Sequence, residues 1–154
     1  MAKKSWLSKN TRDQLTQLGI PEDTLARAVI EVGTKKSRFI TRLFHSKATV
    51  IGRTIYFKEK YYNPASMRGL ALLAHEMVHV YQWKKDGVMF PVIYAFEYLR
   101  GLSQTLFAQI KGQDTVTNLA HAQVSYEMSA NAMQKRVTEI MTRKLASREE
   151  KHLI

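Results

Sequence analysis

One segment of the chain, Leu70–Trp83, constrains the fold most, because it places a His-Glu-x-x-His motif inside a run of apolar residues. The residues around it are of the kinds that begin and end helices. Asn63 is a preferred N-cap residue, and Pro64 suits the first helical position, where a missing N–H costs nothing. Two lysines favour the C-terminal end of the helix dipole, and Gly87 after them can adopt the left-handed conformation that ends a helix. The sequence therefore predicts a helix from about Pro64 to about Lys85.

The spacing of the motif suits a site for one zinc ion. At about 3.6 residues per turn, His75 and His79 project from the same helix face, so both imidazoles can reach one ion. Glu76 points about 100° away, where a carboxylate can take a proton from zinc-activated water and deliver it to a leaving amine. The alternative is that all three are polar residues of a partly exposed helix. The leucines and alanines before His75 favour the zinc interpretation, since they predict a buried helix.

A catalytic zinc site needs a third protein ligand and keeps one position open. No histidine lies between Tyr81 and Phe90, and the chain contains no cysteine. The residues alone leave two candidates: Glu127, with a small residue three positions later that permits close packing against the motif helix, and His121. Asn131, one turn beyond Glu127, could orient a ligand imidazole through its other ring nitrogen.

Three stretches carry a resemblance to a known family: Ala48–Phe57, Tyr61-Tyr62 and Leu70–Gln82. Together they resemble the metallopeptidase core domain associated with bacterial contractile injection systems, a pattern also found in Rhs and spike-linked proteins of type VI secretion. The resemblance is strong from Ala48 to Trp83 and weak from Glu127 to Ala130, and the N-terminal third and the basic C-terminus fall outside it. Val50 departs from the usual residue at its position, which we take to be harmless.

The resemblance implies a small gluzincin-like zinc fold, with His75, His79 and Glu127 as the ligands and Glu76 as the general base. For the group that stabilises the transition state, the sequence leaves Tyr62, Tyr126 and His121 open.

The length of 154 residues predicts a single domain of the α+β class, mostly helical, with a short β-hairpin or sheet beside the motif helix. We divide it into an N-terminal segment of helices and a strand (1–47), a zincin core (48–147) and a frayed tail (148–154). Patterns of apolar residues and turn signals predict the other elements. These are a helix at 10–18, a strand ending at Val32 after a brief helical turn from Leu25, a helix at 37–45, a strand pair at 48–58 turning at Gly52-Arg53, and a buried helix from Pro91 to about Ile110. For the apolar run at 88–99, an aromatic wall of a substrate cleft and a docking face for a partner are the alternatives. A long last helix is predicted to run from Asn118 to about Ala146 and to carry Glu127 at the edge of an inward apolar stripe, which consists of Ala122, Tyr126, Ala130, Met133, Val137, Ile140 and Met141.

The chain is strongly basic, with 24 Lys and Arg against 13 Asp and Glu and a formal net charge of +11. The basic residues concentrate at 35–60 and 134–151. Such a surface attracts acidic protein, nucleic acid or anionic lipid without specificity. The sequence shows no signal peptide and no apolar run long enough to span a bilayer. It therefore predicts a protein that is cytoplasmic or is exported without a Sec signal. For the second case, the resemblance implies export by a contractile secretion system.

These observations predict a hydrolase: a zinc metallopeptidase acting on a protein or peptide, as a bacterial effector or toxin or as a protease associated with a secretion system. A secretion apparatus and an immunity protein are the expected partners. Three alternatives stay open: a DNA-associated zinc protease, a cell-wall amidase, and a non-enzymatic module of a secretion apparatus that a metal ion stabilises.

Overall fold

A computed structural model describes residues 3–5, 7–110 and 125–152, with side chains described for 7–100 and 125–147. Within these residues a four-stranded sheet packs with six α-helices, which confirms the predicted α+β, mostly helical class. The strands are β1 (Lys3–Ser5), β2 (Val29–Val32), β3 (Ala48–Ile51) and β4 (Thr54–Phe57). The helices are α1 (Lys9–Gln17), α2 (Glu22–Arg27), α3 (Lys35–Leu43), α4 (Met67–Asp86), α5 (Met89–Ile110) and α6 (Ser125–His152), with a short 3₁₀ helix at Glu59–Tyr61.

The sheet has the order β1-β2-β4-β3, and its centre joins two parts of the chain that are distant in sequence. β2 pairs with β4 in parallel, with Val29 opposite Thr54, while the two outer pairs are antiparallel. β3 and β4 form the predicted hairpin, and Gly52 in its two-residue turn has a φ of +60°. Because β2 is a central strand, the N-terminal segment is built into the same core as the motif helix.

The motif helix α4 lies between the sheet and α6 and carries much of the core. Its first turn begins later than predicted. Ser66, not Asn63, is the N-cap, and its side-chain oxygen accepts a hydrogen bond from the Gly69 N–H at 3.1 Å. The far end confirms the prediction, since Gly87 follows Asp86 with a φ of +56°.

The last helix packs along α4 through the predicted apolar stripe, of which Ala130 and Val137 are fully buried and Met133, Ile140 and Met141 pack on the core. Residues 118–124 of its predicted range lie outside the described residues. The predicted end at Ala146 was wrong, because the helix continues through His152 and includes residues that we expected to fray.

The helix α5 differs most from expectation. It begins at Met89 and spans the predicted range. However, Val92, Phe96 and Leu99 on it are exposed, and among its described side chains Phe90 is the apolar one that is buried. The prediction of a buried helix was therefore wrong for this part. None of the helices within the described ranges is both long and apolar enough to cross a membrane.

Candidate metal centre

Two helices bring three metal-ligand side chains together. His75 and His79 stand one turn apart on α4, and their Nε2 atoms are 3.2 Å from each other. α6 supplies Glu127, whose Oε1 lies 3.2 Å from His79 Nε2 and whose Oε2 lies 3.5 Å from His75 Nε2. One possible ligand atom from each of the three residues lies within 4.8 Å of the other two, and both His79 and Glu127 are buried.

Gln82, one turn after His79 on α4, determines which ring nitrogen of that imidazole carries a hydrogen when the ring is neutral. The Gln82 Nε2 donates to the backbone carbonyl of Tyr126 at 3.1 Å, so its amide oxygen must be the atom that faces His79. That oxygen lies 2.7 Å from His79 Nδ1, which must therefore carry the hydrogen and donate it. Neutral His79 then presents the lone pair of Nε2 to the cluster, which is the tautomer that a metal ion requires.

Sequence reasoning missed Gln82, although the signal was local, because a residue three positions after a helical histidine can reach its outer ring nitrogen. It also missed Tyr94. The Tyr94 hydroxyl, on α5, donates to Glu127 Oε1 at 3.0 Å. Burial, together with the charge of Glu127, raises the pKa of Tyr94 well above its ordinary value. No motif marked this residue within its apolar run.

Glu76 is buried beside the cluster, on the same helix as the two histidines. Burial raises the pKa of its carboxyl group, His75 and His79 partly offset that rise, and Glu127 adds to it. A buried carboxylate whose pKa is raised is a better proton acceptor than an exposed one.

The electrostatics of His79 depend on Glu127. Burial by itself would lower the pKa of His79, but the hydrogen bond to Glu127 and its negative charge outweigh burial, so the pKa is raised. The negative charge that favours a proton on His79 would equally favour a metal cation at this position.

The spacing of the cluster fits zinc. Ligand atoms at about 2.0–2.1 Å around a tetrahedral ion lie about 3.3 Å from one another. The two imidazole Nε2 atoms are 3.2 Å apart, close to that value. Each of them has a different oxygen of Glu127 nearby, Oε1 at 3.2 Å from His79 Nε2 and Oε2 at 3.5 Å from His75 Nε2. Two imidazole nitrogens and one carboxylate are also a donor set that zinc accepts, and they leave the fourth position for water. The residues present therefore fit the ion.

The remaining predicted site residues have other positions. Tyr126 contributes through its backbone carbonyl to Gln82, while its hydroxyl donates to Asp86 Oδ2 at 2.9 Å. Burial and then that hydrogen bond raise the pKa of Tyr126 to about 12. Tyr62 packs its ring 5.1 Å from that of Phe57 in the core.

Asn131, which we predicted to orient a ligand imidazole, is exposed. For His79 it is Gln82 that contacts the outer ring nitrogen. His121, the rival third ligand, lies outside the described residues.

In a comparison with protein families, a family model described as the eCIS core domain matches residues 11–87, half of the chain. The matched range runs from α1 to the end of α4 and includes His75, Glu76 and His79, but ends before Glu127. The expectation that the N-terminal third lies outside the resemblance was therefore wrong. Neither the curated proteins nor the solved structures contain a match to the chain.

Proposed function

The chain belongs to the eCIS core domain family, which links it to extracellular contractile injection systems, and from this premise we propose that it is a zinc-dependent metallopeptidase acting with such a system. The observation that carries the proposal is the convergence of His75, His79 and Glu127 from two helices, with one possible ligand atom of each within 4.8 Å of the others. Two imidazoles and one carboxylate are a donor set that zinc accepts. When bound, zinc supplies Lewis-acid activation of water and of a peptide carbonyl.

The chain's own residues divide the remaining work. Gln82 holds His79 in the tautomer whose Nε2 lone pair points into the cluster, and Tyr94 holds the Glu127 carboxylate through Oε1. Both contacts reduce the freedom of the ligand side chains before the ion arrives. A preorganised set of ligands binds more tightly because less side-chain entropy is lost on binding.

Glu76 is the proton carrier in this proposal. Its carboxylate receives the proton that water gives up while adding to the peptide carbonyl, and then passes it to the nitrogen of the leaving amine. The C–N bond breaks as that nitrogen is protonated, so the proton taken from water leaves with the amine. The raised pKa of Glu76 suits a group that must hold the proton between these two transfers.

The sheet offers a place for a peptide. β3 is an edge strand, and it packs against α4 as well as pairing with β4. An extended peptide could add to this edge through backbone hydrogen bonds, which require little of its sequence. We therefore propose protein or peptide substrates in an extended conformation.

The test combines zinc analysis with a peptidase assay on unfolded protein. We expect wild type to bind one zinc ion and to cleave, H79A and E127A to lose zinc, and Glu76→Gln to keep zinc and lose cleavage. Glu139→Gln, at an exposed position on α6, is the matched control and should behave as wild type. If wild type binds no zinc, or if Glu76→Gln cleaves as fast as wild type, the proposal is wrong.

One observation favours a second candidate, a module whose structure a metal ion stabilises without catalysis. The cluster joins α4 to α6, so an ion there would tie the two helices together. In that case zinc should raise the thermal stability, while neither wild type nor Glu76→Gln cleaves any protein.

A further inference from the structure

The helix α3 buries two hydroxyl residues and exposes large apolar ones. Its buried residues are Ser37, Ile40 and Thr41, at the spacing of one helix face. In contrast, Phe39 is 67% exposed, Leu43 is 60% exposed, and Phe44, which follows the helix, is 57% exposed. A surface helix of a globular protein normally directs such residues to the core.

Hydrogen bonds explain how the polar side can be buried. The Thr41 hydroxyl donates to the Ser37 carbonyl at 2.7 Å, and the Ser37 hydroxyl donates to the Thr34 carbonyl at 3.0 Å. At the start of the helix the Thr34 side chain caps the Ser37 N–H at 2.9 Å. Because these hydroxyl groups bond to the backbone of the same helix, burying them leaves no donor without a partner. These hydrogen bonds therefore allow α3 to bury Ser37 and Thr41 while Phe39 and Leu43 face outward.

The same surface is strongly positive. From Val32 to Lys58 the sequence contains no acidic residue. Five exposed cations lie on or just after α3: Lys35, Lys36, Arg38, Arg42 and Lys47. We call these five cations, together with Phe39, Leu43 and Phe44, the α3 face.

We propose that the α3 face binds the surface of an anionic phospholipid membrane. A helix that lies in the interface inserts aromatic and aliphatic side chains just below the headgroups, while lysines and arginines contact the negative headgroups. The nine residues of α3 extend about 13 Å, so the helix can lie flat on a bilayer without crossing it.

Nucleic acid fits this face less well. The cations could pair with phosphates, and a phenylalanine can stack on a base, but neither phosphates nor bases offer an apolar contact for Leu43. An acidic protein would need a complementary apolar groove to cover three projecting side chains. A membrane accommodates both parts of the face at once.

The experiment measures sedimentation of the purified protein with vesicles of phosphatidylcholine, with and without phosphatidylglycerol. We expect binding to the anionic vesicles, weaker binding at high salt, and little binding to neutral ones. The double variant F39S/L43S should bind about tenfold more weakly for each side chain replaced. Lys35→Gln combined with Arg42→Gln should weaken binding about fivefold for each charge removed.

Matched controls come from α6, where Leu145 is an exposed apolar residue and Lys135 and Arg136 are exposed cations. Leu145→Ser, and Lys135→Gln combined with Arg136→Gln, should bind as wild type does. Circular dichroism checks that every variant is folded, which we expect because all the replaced side chains are exposed.

Three results would overturn the proposal: no binding of wild type to anionic vesicles, unchanged binding of F39S/L43S, or equal losses in the control variants. Loss of binding through Phe96→Ser alone would assign the membrane contact to α5 instead. A third kind of result would also refute the proposal. If wild type and F39S/L43S bind soluble polyglutamate equally well and neither binds vesicles, the partner is an acidic protein. None of these outcomes depends on zinc or on cleavage.

Discussion

Replacing Gln82 by leucine tests whether the metal centre depends on the contact that orients His79. The buried Gln82 side chain accepts from His79 Nδ1 at 2.7 Å and donates to the Tyr126 carbonyl at 3.1 Å. Leucine has a similar size but can make neither hydrogen bond. The substitution therefore removes two contacts while leaving the three ligand side chains in place.

The size of the effect follows mainly from His79 Nδ1, which loses its acceptor. A buried donor left unsatisfied costs about 1–3 kcal/mol, so the free energy of unfolding of the metal-free protein should fall by about that amount. The Tyr126 carbonyl loses the bond from Gln82 but keeps the intrahelical bond that its place in the first turn of α6 provides. Losing the group that orients a ligand histidine typically weakens metal binding by about 10–100-fold. The second effect is specific to the metal centre, because His79 is then able to rotate or to change its tautomer.

Zinc affinity is measured by competition with a chromogenic chelator, at a temperature where circular dichroism shows both proteins folded, and stability by urea unfolding with zinc removed. Gln17→Leu, at an exposed position on α1, is the control and should change neither quantity. If Gln82→Leu unfolds more easily but binds zinc as tightly as wild type, then Gln82 only joins two helices. That result would refute the argument about the tautomer of His79.

Four further predictions concern Tyr94, Gly69 and the pH dependence of the metal centre. Tyr94→Phe removes a hydrogen bond to Glu127 and should lower zinc affinity about tenfold in the same chelator assay, whereas Tyr81→Phe, an exposed tyrosine on α4, should not. Gly69→Ala should lower the free energy of unfolding by about 1–3 kcal/mol in urea titrations, because a Cβ at this position would lie 1.8 Å from the carbonyl oxygen of Asn63. Zinc affinity should fall about tenfold per pH unit once the pH is below the raised pKa of His79, because a proton on Nε2 then competes with the ion. In the metal-free protein the contact between protonated His79 and Glu127 stabilises the fold at low pH, and melting curves should show this stability lost as the pH rises through the same pKa.

The helix α4 shows how much local sequence information can predict. Apolar residues at helical spacing, the paired histidines and Gly87 were enough to predict the helix, its buried side and its end. Its start was predicted three residues too early because Asn63 and Ser66 are both good N-cap residues. The choice depends on which side-chain oxygen reaches the N–H three positions later, and that oxygen belongs to Ser66.

The metal centre divides into a local part and a part that depends on the tertiary fold. His75 and His79 meet because one helix carries them a turn apart, so their spacing alone brings them together. Glu127 comes from a second helix, and the residues alone left His121 as a rival ligand, so the preference for Glu127 rested partly on the family resemblance. Tyr94 reaches Glu127 only because α5 packs near both helices, and no spacing in the sequence records that packing.

Apolar composition without a clear period was the weakest guide. The run around Phe96 predicted a buried helix, yet a helix apolar on all sides gives no information about which side meets the core. On α3 the same reasoning identifies a helix but not the orientation of its faces, because Ser37 and Thr41 can be buried once their hydroxyl groups bond to the helix backbone. In both helices, the sequence could not predict which apolar residues would be exposed.

The boundary of the family match bears on how the site is assembled. The matched residues end at 87, so they supply two imidazoles and Glu76, while Glu127 and the carbonyl that anchors Gln82 both come from α6. Gln82 therefore connects the histidine face of α4 to the helix that carries the third ligand. Any movement of α6 away from α4 would remove Glu127 from the cluster and leave Gln82 without its anchor at the same time. It follows that docking of α6 and zinc binding should stabilise each other, with the ion strengthening a contact that the core residues Ala130 and Val137 already make.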